Sequence, residues 1–227
     1  MPQRTLEVAT RLEVYILKQY RILVFGDSIT WGAWDPEGGW VDRVKRYYSA
    51  LRLESSDKKV QIFNLGIGGE KSAGLLARFD AEVQARTSSS WEFVFVFATG
   101  MNDSRAEDNT NNVLVSPAQY QANVSQITAK ARAYSNKILW QGLTPVDESR
   151  MPLNTRLYWS NQRTAEYDQA LSEQLASPGF VKVDTFGSLQ AQSTINDWLA
   201  SDGVHPSAEG HAFIYQLMLP EIEKLLN

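Results

Sequence analysis

The chain has 227 residues, 43% hydrophobic and 21% charged, which suits one domain with a sizeable core. A net charge of -4 excludes a dedicated binder of nucleic acid or anionic membrane, since such proteins need a positive field to meet phosphates. The absence of cysteine excludes disulfides, thiolate nucleophiles and Cys-type zinc sites, and two histidines argue against a multi-His metal centre, leaving only a carboxylate site conceivable.

In residues 1–20, Arg4, Glu7, Arg11 and Glu13 interrupt every apolar stretch before it reaches signal-peptide length, so no secretion signal is expected. No run approaches the ~20 apolar residues of a spanning helix, and the expected location is cytoplasmic, without stable membrane insertion. Residues 1–20 read as an N-terminal extension packed on a domain at 21–227, as an amphipathic helix or an added strand.

From residue 21, short apolar runs alternate with longer amphipathic stretches. Strands are predicted near 21–26, 59–64, 92–98, 137–142 and 180–184, and helices near 39–53, 72–86, 117–134, 160–176 and 208–226. Each strand precedes a helix, so right-handed crossovers stack five parallel strands between two helical layers. The expected fold is a three-layer α/β/α sandwich in flavodoxin-like order. Two connections exceed what such a fold needs, 99–116 and 143–159, and both should rim the C-terminal edge of the sheet.

Ligands bind at that edge in open α/β sheets. The first strand runs into Gly26-Asp27-Ser28, which places Ser28 there, although Gly-Asp-Ser is also ordinary turn chemistry. The second ends in Asn64-Leu65-Gly66-Ile67-Gly68-Gly69-Glu70, whose glycines let backbone N–H groups approach a ligand or simply turn a strand into a helix. They match neither the dinucleotide fingerprint nor a phosphate loop. The third ends in Gly100-Met101-Asn102-Asp103, where Asn102 offers a side-chain donor or a cap. Before the last helix, Asp202 stands three residues ahead of His205, a spacing that can bring a carboxylate to one imidazole nitrogen. Pro206 keeps His205 out of the helical region and can start the helix, with Ser207 as the alternative cap. His211, inside that helix, reads as a packing or surface residue.

Together and in order, these four blocks resemble those of the GDSL-type SGNH hydrolases, a family of serine esterases and lipases, over residues 21–226. The resemblance implies that Ser28 is the nucleophile, His205 the general base and then acid, and Asp202 the carboxylate that orients it. It implies an oxyanion hole from the Ser28 backbone N–H, that of Gly69 and the Asn102 side chain. Gly69, five residues after Asn64, matches better than its neighbour Gly68. Asp27 and Asp103 would shape loops through hydrogen bonds, and Ile29 stands where the family's usual name has leucine, a volume-conserving change.

Thr30-Trp31-Gly32 is similar to the esterase and arylesterase branch of that family. Candidate pocket walls are Trp31, Trp34, Met101, Pro145, Val146, Tyr158, Trp159 and Val204, each of which would serve equally as a core or loop anchor. The implied activity is cleavage of small-molecule carboxylic esters, with short acyl groups preferred, through an acyl-enzyme, without metal or organic cofactor and without a nucleic-acid partner. Carbohydrate O-deacetylation is the runner-up, with lysophospholipase or thioesterase chemistry third. A non-catalytic binding module is the reading from a different class.

Overall fold

The computed structural model describes residues 18–54, 58–176, 180–192 and 194–227. The reading of an N-terminal extension falls largely on residues 1–17, outside the described residues. Lys18, Gln19 and Tyr20 already belong to the first strand.

All five apolar runs form strands of one parallel sheet: β1 (Lys18–Gly26), β2 (Lys58–Gly66), β3 (Glu92–Ala98), β5 (Ile138–Gln141) and β7 (Val181–Val183). Their order is β2-β1-β3-β5-β7, the flavodoxin-like arrangement expected. The inner parts of β1 and β3, from Ile22 to Phe25 and from Phe93 to Phe97, are apolar at every position and buried because helices cover both of their faces. Phe97 packs on Trp140 at a ring-centroid distance of 4.7 Å, and Phe25, Phe79 and Phe95 continue this aromatic core. β2 is only partly buried, as befits an edge strand.

The helices are α2 (Gly39–Leu53), α3 (Ser72–Gln84), α4 (Pro117–Arg132), α5 (Asn161–Gln174) and α7 (Ala208–Leu226), with short α1 (Ser28–Trp31) and α6 (Thr185–Gln190). Ser116 caps α4 ahead of Pro117, and Ser160 caps α5. Among the described residues no helix is long and apolar enough to cross a membrane.

Two features of this topology place the site. The chain leaves β1 to one side for β2, then returns to β3 on the other side, so the crevice at a topological switch point opens at the end of β1. The two long connections rim that same edge and pair there, β4 (Ala106–Glu107) running antiparallel to β6 (Leu157–Tyr158). Gly26 is required at this point: a Cβ would lie 2.0 Å from Thr30 Oγ1 and 2.4 Å from the Ala98 carbonyl oxygen.

Candidate active site

β1 ends at Gly26, and Asp27 turns the chain into α1. Its Oδ1 accepts the Ile29 N–H at 2.9 Å, a capping bond that fixes the backbone of Ser28 at the crevice. Ser28 Oγ lies 2.8 Å from His205 Nε2, and His205 Nδ1 lies 2.6 Å from Asp202 Oδ2. The carboxylate can only accept, so Nδ1 carries the proton and Nε2 is left to receive the Ser28 hydroxyl hydrogen.

A tight turn produces this alignment. Asp202 Oδ1 accepts the backbone N–H groups of Val204 and His205 at 2.9 and 3.0 Å, and the His205 carbonyl accepts from Ala200 N–H at 2.8 Å. Gly203 has φ 73°, in the left-handed region, and its carbonyl accepts the Asp147 N–H at 2.8 Å. Arg150 Nη1 donates to the Ser201 carbonyl at 2.9 Å, so the loop after β5 buttresses the turn. Helix α7 starts at Ala208 with Ser207 as its N-cap, so Pro206 precedes the helix instead of opening it.

Burial alone would raise the pKa of Asp202. The hydrogen bonds from the His205 ring and from the His205 and Val204 backbone outweigh it and hold the carboxyl well below the usual carboxylate range. The group is therefore an anion at neutral pH, as an orienting carboxylate must be. Trp34 Nε1 donates to the same Oδ2 at 2.7 Å. It also comes within 3.1 Å of His205 Nδ1, where two N–H groups converge on one oxygen.

Asn102 faces this group from the end of β3. Its Nδ2 lies 3.2 Å from both Asp27 Oδ2 and the Glu70 carbonyl oxygen, and its Oδ1 accepts from Arg105 Nη1 at 3.1 Å. Burial pushes the Asp27 carboxyl up to about 6. Gly68 and Gly69 both line the cleft, and Gly69 has φ 75°. The backbone N–H groups of Ser28 and Gly69 meet no acceptor among the described residues. Asp103 shapes the loop: its carboxylate accepts the Ser72 N–H at 2.9 Å and the Ser72 hydroxyl, tying β3 to the start of α3. Arg105 is held by Glu107 at 2.7 Å and lies over the Trp159 ring, whose Nε1 donates to the Met101 carbonyl at 2.8 Å.

A cavity of about 300 Å³ opens beside Ser28. Trp31, Trp34, Met101, Trp159 and Val204 are among the residues that line it. Val146 does not, and this corrects the expectation for it: the side chain is in the core, and Asn161 at the head of α5 grips its backbone N–H and C=O at 2.9 and 2.8 Å. Pro145 and Tyr158 are likewise absent from the lining. Sequence reasoning missed Arg105, Leu153, Asn154 and Leu157, which the β4–β6 pairing brings to the wall. His211 is fully buried and packs beneath the Trp34 loop, with Nε2 3.3 Å from the Ala33 carbonyl oxygen. Among the described residues no group of three or more Asp, Glu and His could hold a metal ion.

A parallel three-layer sheet carrying a hydroxyl, an imidazole and a carboxylate in hydrogen-bonded series at its switch point defines the class of serine hydrolases. Residues 24–213 match the model of the GDSL-like Lipase/Acylhydrolase family, and the chain belongs to that family, whose members are carboxylic ester hydrolases. Among curated proteins it is similar to the human isoamyl acetate-hydrolyzing esterase 1 homolog, at 23% identity over 91% of this chain and 83% of that protein. It is also similar to esterase TesA of Pseudomonas aeruginosa, at 24% identity over 90% of this chain and 89% of that one. Two solved structures share the fold. One is a lipase/acylhydrolase from Enterococcus faecalis, with TM-score 0.72 and 23% identity over 90% of this chain and 96% of that one. The other is the acetylxylan esterase Axe2 from Geobacillus stearothermophilus, with TM-score 0.69 and 21% identity over 91% of this chain and 95% of that one.

Proposed function

We propose that the protein cleaves short-acyl carboxylic esters through a Ser28 acyl-enzyme. The observation that carries this reading is the unbroken series from Ser28 Oγ to His205 Nε2 at 2.8 Å and from His205 Nδ1 to Asp202 Oδ2 at 2.6 Å. Ser28 Oγ attacks the ester carbonyl carbon while Nε2 takes its proton, and Asp202 stabilises the imidazolium that results. The negative charge that develops on the carbonyl oxygen is received by the backbone N–H groups of Ser28 and Gly69 and by Asn102 Nδ2. One Asn102 proton turns from Asp27 toward that oxygen, an exchange favoured by the 3.2 Å length of the contact it gives up. The intermediate collapses, His205 returns the proton to the departing alkoxide, and the alcohol leaves. Water then repeats the sequence on the acyl-enzyme, releasing the acid and restoring the serine.

The test is turnover of p-nitrophenyl acetate by the purified protein. Wild type hydrolyses it, while Ser28→Ala and His205→Ala lose roughly 10⁴-fold or more in kcat, the scale seen when such a unit is broken. Wild-type-like hydrolysis by Ser28→Ala contradicts the proposal.

A second reading, O-deacetylation of a carbohydrate, draws support from the exposure of Trp31 and Trp34, 59% and 64%, beside the nucleophile. Flat exposed rings suit the apolar faces of sugars. Acetylated oligosaccharides preferred over aryl acetates in kcat/KM would favour it.

A further inference from the structure

Trp34 stands at φ 68°, a left-handed conformation that a bulky L-residue holds only when its surroundings impose it. They do so from both sides. Ahead of it, the buried His211 ring holds the Ala33 carbonyl at 3.3 Å. Behind it, the buried Asp35 carboxylate accepts the N–H groups of Glu37 and Gly39 at 3.0 and 3.1 Å and pairs with Arg43. The turn closes on itself at Gly32, where a Cβ would lie 2.3 Å from the Gly38 carbonyl oxygen.

This construction does not bury the ring, which stays 64% exposed. What it achieves is a contact across 168 residues of chain: the indole N–H reaches Asp202 Oδ2 at 2.7 Å while the ring stands edge-on to His205, with centroids 5.7 Å apart and planes at 81°. Asp202 then has four donors, two backbone N–H groups on Oδ1 and the imidazole and indole on Oδ2. A carboxylate has about four acceptor positions, so this one is saturated and has no lone pair left to turn toward water.

We infer that Trp34 is a positioning residue for the catalytic pair, and that it does this through Asp202. Its indole N–H completes the carboxylate's shell and locks the rotation of Oδ2, and through it the plane of the His205 ring, at the moment Nε2 receives the proton. The inference rests on the Ser28–His205–Asp202 reading and adds a fourth side chain to it. Trp34 is also a wall of the cleft, so its two roles must be separated by keeping an aromatic ring there and removing the N–H.

Trp34→Phe does that. Loss of one hydrogen bond to a charged group predicts a roughly tenfold fall in kcat on p-nitrophenyl acetate, with KM within about twofold of wild type because a smaller aromatic ring still stands on that wall. The Trp34 indole resonance in a ¹H–¹⁵N spectrum of the wild type, assigned by its through-space contact with the neighbouring His205 ring, moves in Asp202→Asn and stays in place in Ser28→Ala. An unchanged kcat, a loss confined to KM, or an indole resonance indifferent to Asp202→Asn overturns the inference. The spectrum decides the matter alone if Trp34→Phe does not fold. Failure of the serine mechanism is read separately, as retained turnover in Ser28→Ala.

Discussion

Arg105 Nη1 donates to the side-chain oxygen of Asn102 at 3.1 Å, and this bond turns the amide nitrogen toward Asp27 and Glu70, on the Ser28 side of the cleft. Asparagine has no intrinsic preference between its two amide ends. The guanidinium supplies one, because it can only donate.

On the proposed mechanism, Asn102→Ala removes a donor to the charge that develops in the transition state. kcat is expected to fall roughly 10²- to 10³-fold with a much smaller change in KM. Steady-state kinetics on p-nitrophenyl acetate measure it, and a change confined to KM would reassign Asn102 to ground-state binding.

Arg105→Met keeps much of the packing volume over Trp159 and frees the amide to flip. About a tenfold loss in kcat is expected, the scale of one hydrogen bond to a charged group. Unchanged kcat in Arg105→Met, alongside a crippled Asn102→Ala, would show that Asp27 and Glu70 orient the amide without help.

The strands and the turn that joins Asp202 to His205 were legible in the sequence because each is encoded locally, whereas Ser28 meets His205 across 177 residues. Runs such as Phe93 to Phe97 are apolar at every position only when both faces are covered, and Asp202 and His205 sit close enough for one turn to join them. The pocket wall was legible only in part. Leu153 and Leu157 reach it because two residues of β4 pair with two of β6, a register set by tertiary contact. Val146 looks no different in sequence from a pocket residue, and what draws it into the core is Asn161, fifteen residues on. The bond from Trp34 to Asp202 spans 168 residues, and neither residue's neighbours announce it.

His211 makes stability depend on acid. Burial pushes its imidazole down from an ordinary 6.5 to about 4, so above pH 6.5 the ring is neutral whether the chain is folded or not. Between 6.5 and 4 the unfolded chain takes a proton that the folded chain refuses, and stability falls with pH by up to about 3 kcal/mol. Asp27 works in the opposite sense: with its carboxyl raised to about 6, its contribution is present in acid and lost as pH rises through that value. The comparison is therefore between wild type and His211→Gln, whose amide can still donate to Ala33. Denaturant unfolding at pH 7 and pH 4.5 is expected to show a smaller acid loss in the variant, with most activity retained at pH 7. Equal acid losses would remove His211 from the account.

Acyl length follows from the cavity. Each methylene buried is worth about 0.8 kcal/mol, but a cavity of about 300 Å³ must take part of the alcohol as well as the acyl group. kcat/KM on p-nitrophenyl esters is expected to peak between acetate and butyrate and to fall by octanoate. A rise continuing through decanoate would require an extended apolar channel.

On the proposed mechanism Ser28 Oγ becomes covalently bonded during turnover, and a fluorophosphonate probe reads that reactivity at the same atom. Intact-mass measurement is expected to show one adduct on the wild-type chain, localised to the peptide containing Ser28 after proteolysis. Ser28→Ala should take up no adduct, and His205→Ala should react far more slowly because nothing accepts the hydroxyl proton. A full-rate adduct on Ser28→Ala, or an adduct mapped to another residue, would contradict the account.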